Sequence, residues 1–192
     1  AHLPSDNRIF HKECKTLAGA GYQVVLIAQN NQDKELDGVL IKGISKPKNR
    51  LDRILNLTRQ VYNRSVECDA DIYHFHDPEL IPVGLKLKRK GKKVIYDVHE
   101  DVPRQILSKK WIPVPLRKAI GYCVEQLEDY AASRFDAIVT ATEYIAKRFR
   151  ELNRNVVAIH NYPINSGIAT DYSGLNKRRQ ICYISSHLSI ER

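Results

Sequence analysis

Apolar positions along the chain alternate between two periods. Tyr22 to Ala28 is a short continuous run rich in branched residues, and Gly38 to Ile44, Asp71 to His76, Lys93 to Val98, Asp136 to Thr140 and Val156 to Ile159 read the same way. Such runs predict strands buried on both faces. Between them the apolar residues recur at helical spacing. Asp6 to Ala20 carries Ile9, Phe10, Cys14, Leu17 and Ala18, with Asp6 as N-cap and Gly19 and Gly21 as stops. Leu51 to Val66 repeats the pattern, and Pro78 to Lys90 opens with Asp77 as cap and Pro78 in the first turn. A strong helix is predicted over 115–133, with Leu116, Ile120, Cys123, Val124, Leu127 and Ala131 facing the core, and another over 143–152. The stretch before the strong helix, with Pro103, Pro113 and Pro115, reads as irregular.

Strands alternating with helices are the signature of βαβ units, so the expected fold is α/β, a Rossmann-like parallel sheet with helices on both faces. A doubly wound sheet usually begins with a strand, whereas this sequence opens on a loop and a helix. The expectation is therefore a first strand ahead of Ala1. Residues 1–162 form the expected domain. The polar stretch 163–180, with Ser166, Gly167, Ser173, Gly174 and the basic run Lys177 to Arg179, reads as a linker. Ile181 to Ile184 reads as the first strand of a second domain begun within 181–192.

Composition narrows the class. The chain has 192 residues and a net charge of +9, which favours anionic partners: phosphorylated ligands, anionic lipid or nucleic acid. The densest basic run, Lys86 to Lys93, reads equally well as a solvated helix end. No zinc-finger spacing or RNP-like motif accompanies the charge, so nucleic acid is not an expected partner. Four cysteines, Cys14, Cys68, Cys123 and Cys182, form no CxxC pair. That suits a reducing, cytoplasmic setting. No apolar run approaches the roughly 20 residues of a membrane span. Trp111, Ile112, Val114, Leu116, Arg117 and Lys118 read as ordinary core packing or as an interfacial patch that would hold the protein at the inner face of a membrane.

Ligands of open parallel sheets bind outside the carboxyl ends of the strands. The strands deliver His74, His76 and Asp77 there, then His99, Glu100 and Asp101, then Thr140 to Glu143, then His160 to Tyr162; the loop ahead of the first helix adds Ser5 to Arg8. His74 and His76 share one face. His74 reads as a buried, hydrogen-bonded core residue, Asp77 equally as cap or site residue, and Glu100 and Asp101 equally as caps. His99 follows a clear strand and precedes two acids. It suits proton transfer or hydrogen bonding to a hydroxylated substrate.

HFHDPEL at His74 to Leu80, followed by KKVIYDVHEDVP at Lys92 to Pro103, resembles the N-terminal domain of glycosyltransferase family 4, enzymes of the GT-B architecture. The opening SDNRIFHKECKTLAGAGYQVVLIA, TATEYIAKRF at Thr140 to Phe149, and HNYP at His160 to Pro163 extend the resemblance over nearly the whole chain. It implies half of a two-domain enzyme that moves a sugar from a nucleotide-sugar donor with retention, without metal or other cofactor, to a glycan or lipid-linked acceptor in polysaccharide biosynthesis. His99 matches the active-site histidine of the family. Asp6, Arg8, His76, Asp77, Glu100 and Asp101 fall on the acceptor side, and Thr142 and Asn161 on the donor side. Two departures stand out. The first loop lacks the Gly-Gly pair of many relatives, and the C-terminal domain with the donor-binding basic residue and paired glutamates is missing, so this half is expected to be inactive alone. The rival readings are a metal-dependent hydrolase, with strand-end histidines holding zinc, and a non-catalytic binding module.

Overall fold

The computed structural model describes residues 4–162. The chain divides into units 1–161 and 162–192, and the architecture below is that of the first. The proposed linker and the strand at Ile181 to Ile184 lie outside the described residues.

The first helix begins at Asn7 as a wide π-type segment, Asn7–Cys14, and tightens into α1, Lys15–Gly19. Asp6 caps it: its carboxylate accepts from the backbone N–H of Arg8 and Ile9 at 3.0 and 2.9 Å. β1 (Val24–Gln29) follows, then β2 (Lys34–Leu36) and β3 (Val39–Ile44). β1 and β3 pair in parallel, and β2 adds an antiparallel edge that the apolar pattern did not announce, since all three of its residues are exposed. A single turn, α2 (Arg50–Asp52), and a second π-type segment, Arg53–Leu57, lead into α3 (Thr58–Cys68).

β4 (Ile72–Phe75), β5 (Lys93–Val98), β6 (Ala137–Thr140) and β7 (Val156–Ala158) form an all-parallel sheet in that order. A 3-10 turn at Pro78–Leu80 runs into α4 (Ile81–Arg89), which joins β4 to β5. α5 (Val102–Ser108) and α6 (Val114–Ala132) join β5 to β6, and α7 (Glu143–Arg150) joins β6 to β7. The Rossmann-like class is as expected, but the strands form two sheets, with β1 and β4 unpaired to each other. One core spans both: Ile44 of β3 packs in the same cluster as Leu57, Val61, Val94 and Phe149, with Ile27 of β1 against it. A smaller core, Ile9, Phe10, Cys14, Val39 and Ile41, joins the first helix to β3.

Two sequence expectations fail. The proline-bearing stretch after β5 is helical in part, because Pro103 falls in the first turn of α5, where its missing N–H costs nothing. On α6 most of the predicted inward stripe faces outward. Leu116, Ile120 and Leu127 are 53%, 40% and 41% exposed, and Cys123 is exposed. Of that stripe Ala131 is buried and Val124 half-buried, and Gly121, Glu128 and Ala132 take the other buried positions. Small residues let the helix lie close, and Glu128 is admitted because Tyr96 and Arg148 satisfy it. Close approach also decides Gly84 on α4, where a Cβ would sit 2.8 Å from the Phe75 ring. The basic run is largely paired: Lys88 holds Asp136 at 2.8 Å, Lys92 holds Asp69 at 2.7 Å, and Lys86 lies over the Tyr62 ring at 5.3 Å.

Candidate functional site

β5 presents alternate side chains to opposite faces. Tyr96 goes to one face, stacked on Phe75 of the register-paired position in β4 with centroids 4.9 Å apart. Asp97 goes to the other, where it meets the ends of β4 and β5. Asp97 is fully buried, and its Oδ2 is 3.5 Å from His74 Nε2, 3.3 Å from His76 Nδ1 and 3.2 Å from His99 Nε2. The π-type segment covers this face and brings Arg8, whose Nη2 donates to both Asp97 oxygens at 3.2 Å and whose Nε donates to Glu13 at 3.0 Å. Arg8 also reaches the carbonyl of Ile159 beyond β7 at 3.5 Å. Elements far apart in sequence thus converge on one carboxylate at the carboxyl ends of the strands.

The electrostatics follow from burial. Burial alone would push the Asp97 carboxyl up, but hydrogen bonds from His74, His76 and His99 outweigh it and hold the group well below the usual carboxylate range. Burial pushes His76 down to about 4, so it is neutral near pH 7. Glu13 is raised by burial and by the neighbouring Asp97 charge. His76 Nδ1 and His99 Nε2 are 3.0 Å apart. Which of them donates depends on the tautomers, and each also approaches the same Asp97 oxygen. The His74 and His76 rings stack at 4.8 Å, which helps to fix their orientation.

The sequence-predicted residues separate into two groups. Arg8, His76 and His99 meet at Asp97. His74, read as a core residue, belongs there too. Asp97 and Glu13 were missed: Asp97 lies inside an apolar strand and Glu13 inside a helix. The available signal for Asp97 was an acid at a buried strand position one alternation from His99. The second group serves the backbone. Asp6 is the N-cap of the first helix, Asp101 accepts from Arg104 N–H at 3.4 Å at the start of α5, and Thr142 accepts from Ile145 N–H at 3.3 Å at the start of α7. Glu100 is exposed, and its carbonyl accepts from Val102 N–H. Asp77 occupies the N-cap position before Pro78, yet its side chain makes no capping hydrogen bond. Asn161 accepts from Lys12 Nζ at 2.6 Å, which ties the segment after β7 to the first helix.

A cavity of about 720 Å³ opens beside the cluster. Arg8, His74, His76, Asp77, His160 and Asn161 form its polar end, and β1, β4, α3 and α4 give it apolar walls. Glu13, His76, Asp97 and His99 present ligand-type atoms within 4.8 Å of one another. Both carboxylates of that set also pair with Arg8. Chemically the cluster is a set of imidazoles aligned by one buried anion, partly open at the rim and suited to binding hydroxyl groups.

Residues 7–162 match the family model described as Glycosyltransferase Family 4. Among solved structures, a sucrose-phosphate synthase from Thermosynechococcus elongatus superposes with a TM-score of 0.57 and 12% identity, over 81% of this chain and 42% of that one. Among curated proteins, the mitochondrial translation initiation factor IF-2 of Bos taurus is 28% identical over 111 residues, 56% of this chain and 15% of that protein. The chain thus spans less than half the length of either.

Proposed function

The chain belongs to glycosyltransferase family 4, and from that premise we propose that it is the acceptor-side domain of a retaining hexosyltransferase. The whole enzyme would move a sugar from a nucleotide-sugar donor to a glycan or lipid-linked acceptor in polysaccharide biosynthesis. Residues 1–162 would form this domain, 163–180 a linker, and 181–192 the start of a donor-binding domain. The observation that carries the reading is the Asp97-centred cluster: a fully buried carboxylate bonded by Arg8 and approached by three imidazoles, at the carboxyl rim of a parallel sheet.

In this reading His99 hydrogen-bonds the transferring sugar, oriented by Asp97. Neutral His76 and the rim residues Asp77 and Glu100 bind acceptor hydroxyls, and Thr142 and Asn161 face the donor. Asp6 and Asp101 act on the acceptor side by fixing the helices that begin there, and Asp6 thereby sets the position of Arg8. The domain contributes orientation and water exclusion, which can supply a large share of barrier lowering. In this reading no metal takes part.

Ile112 is buried, as the core-packing reading expects, whereas Trp111, Val114 and Leu116 are 65%, 59% and 53% exposed. Lys109, Lys110 and Lys118 are exposed nearby. They support peripheral contact with an anionic cytoplasmic membrane, where a lipid-linked acceptor would be found. No described helix is long and apolar enough to cross one.

The test is sugar transfer by the full-length protein over a panel of nucleotide sugars, with and without His99→Ala. The expected result is turnover of one donor, reduced about 100-fold by the substitution, with a cooperative thermal transition retained. Failure of every donor, or full activity of the variant, would overturn the assignment. Flotation with anionic liposomes tests the membrane contact, and loss of binding in Trp111→Ser is the expected result.

A further inference from the structure

α6 differs from its neighbours in what it shows to solvent. α4 exposes Lys86 and Arg89, and α7 exposes Glu143, Lys147 and Arg150, the charged face that a solvated helix carries. Between Ala119 and Ser133, by contrast, no exposed position is charged. The acids of that stretch are turned inward: Glu128 is buried, and Glu125 and Asp129 are half-buried against Arg104 and Arg148. What remains outside is apolar or neutral. Ile120, Cys123, Leu127 and Tyr130 are all exposed and follow one another at spacings of three, four and three. This is the a/d period of a helix seam, and Leu116 continues it toward the amino end. With Tyr122 63% and Tyr130 48% exposed beside Ile120 and Leu127, the face is a contiguous apolar patch of the kind that a partner covers.

We propose that this face pairs with the same face of a second copy of the chain, the two α6 helices lying antiparallel about a two-fold axis between Cys123 and Leu127. A two-fold contact needs a surface complementary to itself, and the stripe is one when reversed. Ile120 then meets Tyr130 of the partner subunit, and Cys123 meets Leu127 of the partner subunit. Each layer sets a smaller side chain against a larger one, as close packing requires. A parallel pair would instead put Tyr130 on its own copy and Cys123 on its own copy, one layer too wide and the next too thin. Antiparallel helices also oppose their macrodipoles, and Lys118 comes beside the carboxyl end of the partner helix, where a cation is favoured. Charge selects the same face. Each copy carries +9, so two copies repel unless the surfaces that meet are neutral. A membrane fits this face less well, because an interfacial helix carries Lys or Arg along the edge of its apolar stripe, and here that edge holds Ala119, Gln126 and Ser133. Trp111 and Val114 lie ahead of the seam. The seam is short, about 15 Å from Ile120 to Tyr130, and so smaller than a standard interface; the dimer is reversible. The pairing is independent of the proposed sugar chemistry.

Sedimentation velocity of the full-length protein, over roughly 1–200 μM, tests the pairing. The expected result is a monomer–dimer equilibrium with a dissociation constant on the order of 10 μM. Leu127→Lys should weaken it by about 30-fold or more, because like charges would be buried in a neutral seam. Cys123→Glu alone should weaken it similarly. The two substitutions together should recover the dimer, since in the antiparallel register the new opposite charges face each other across the axis. All the substituted positions are exposed, and a cooperative thermal transition in each variant reports that it is folded. A wild type that stays monomeric throughout the range, a dimer indifferent to Leu127→Lys, or a folded double variant that remains monomeric would each overturn the proposal.

Discussion

Two carboxylates, Asp97 and Glu128, are completely buried on opposite faces of β5. Each pairs with an arginine, Asp97 with Arg8 at 3.2 Å and Glu128 with Arg148 at 3.0 Å. Their other partners differ. Glu128 accepts from the Tyr96 hydroxyl at 3.0 Å, beneath Phe135 and Phe149. Asp97 faces three imidazoles beside an open cavity. The closed pair is completed by a hydroxyl, whereas the open one is surrounded by imidazoles whose ring nitrogens can donate or accept. A buried ion pair alone is thus poor evidence of function. Titratable partners and access to a rim distinguish the Asp97 cluster.

The largest expected effect tests this difference directly. Removing one partner of a buried ion pair leaves an uncompensated charge and costs about 3–5 kcal/mol. Arg148→Leu should lose that much at pH 8, because Tyr96 cannot supply a positive charge to the buried Glu128. Arg8→Leu should lose about 3 kcal/mol, the lower end of that range, because the imidazoles still face Asp97. Urea melts at pH 8 measure both. A larger loss in Arg8→Leu than in Arg148→Leu would remove the distinction between the faces.

The next effect is acid sensitivity on the open side. His76 has its native value pushed from 6.5 down to about 4 by burial. Between those values the unfolded chain binds more protons than the native one, so stability is fully present above about pH 6.5 and falls as pH drops toward 4. The loss is on the order of 3 kcal/mol from this residue. Asp97, also depressed, adds loss in the same direction at lower pH, while Glu13, raised by burial, opposes it. His76→Asn should flatten the fall in thermal midpoint between pH 6.5 and 5. An unchanged slope would assign the acid sensitivity to other groups.

The difference between the faces also explains what the sequence disclosed. Apart from the exposed β2, the strands and most helices were legible because sheet packing leaves short continuous apolar runs. His99 and His76 were legible because they break those runs at strand ends. Asp97 and Glu13 were not, since what makes them functional is a tertiary meeting of β4, β5 and the first helix that no local spacing encodes. The face of α6 was misread for the same reason. Most of its apolar stripe, Leu116, Ile120, Cys123 and Leu127, is exposed, and a buried position holds Glu128, whose partners Tyr96 and Arg148 come from a strand and another helix. Asp6 served both roles at once, as the cap that the sequence predicts and as the fixed point that places Arg8.

The smallest expected effect completes the comparison. Burial raises Glu128 above the ordinary glutamate value despite Arg148 and Tyr96. The native state therefore holds this proton more tightly than the unfolded chain, and the contribution of Glu128 to stability is present below pH 4.5 and lost as pH rises through its raised native value. At pH 7 its charge is a cost that the Arg148 bond offsets. Glu128→Gln removes the cost and weakens the bond, while the amide oxygen still accepts from Tyr96 and Arg148 keeps Asp129. The net change in urea stability should be within about 1 kcal/mol. As pH falls the wild type should gain relative to the variant, the opposite of the trend at His76. A loss of several kcal/mol in Glu128→Gln would mean that the closed carboxylate depends on its charge as much as Asp97 does, and that the two faces of β5 differ only in their access to the rim.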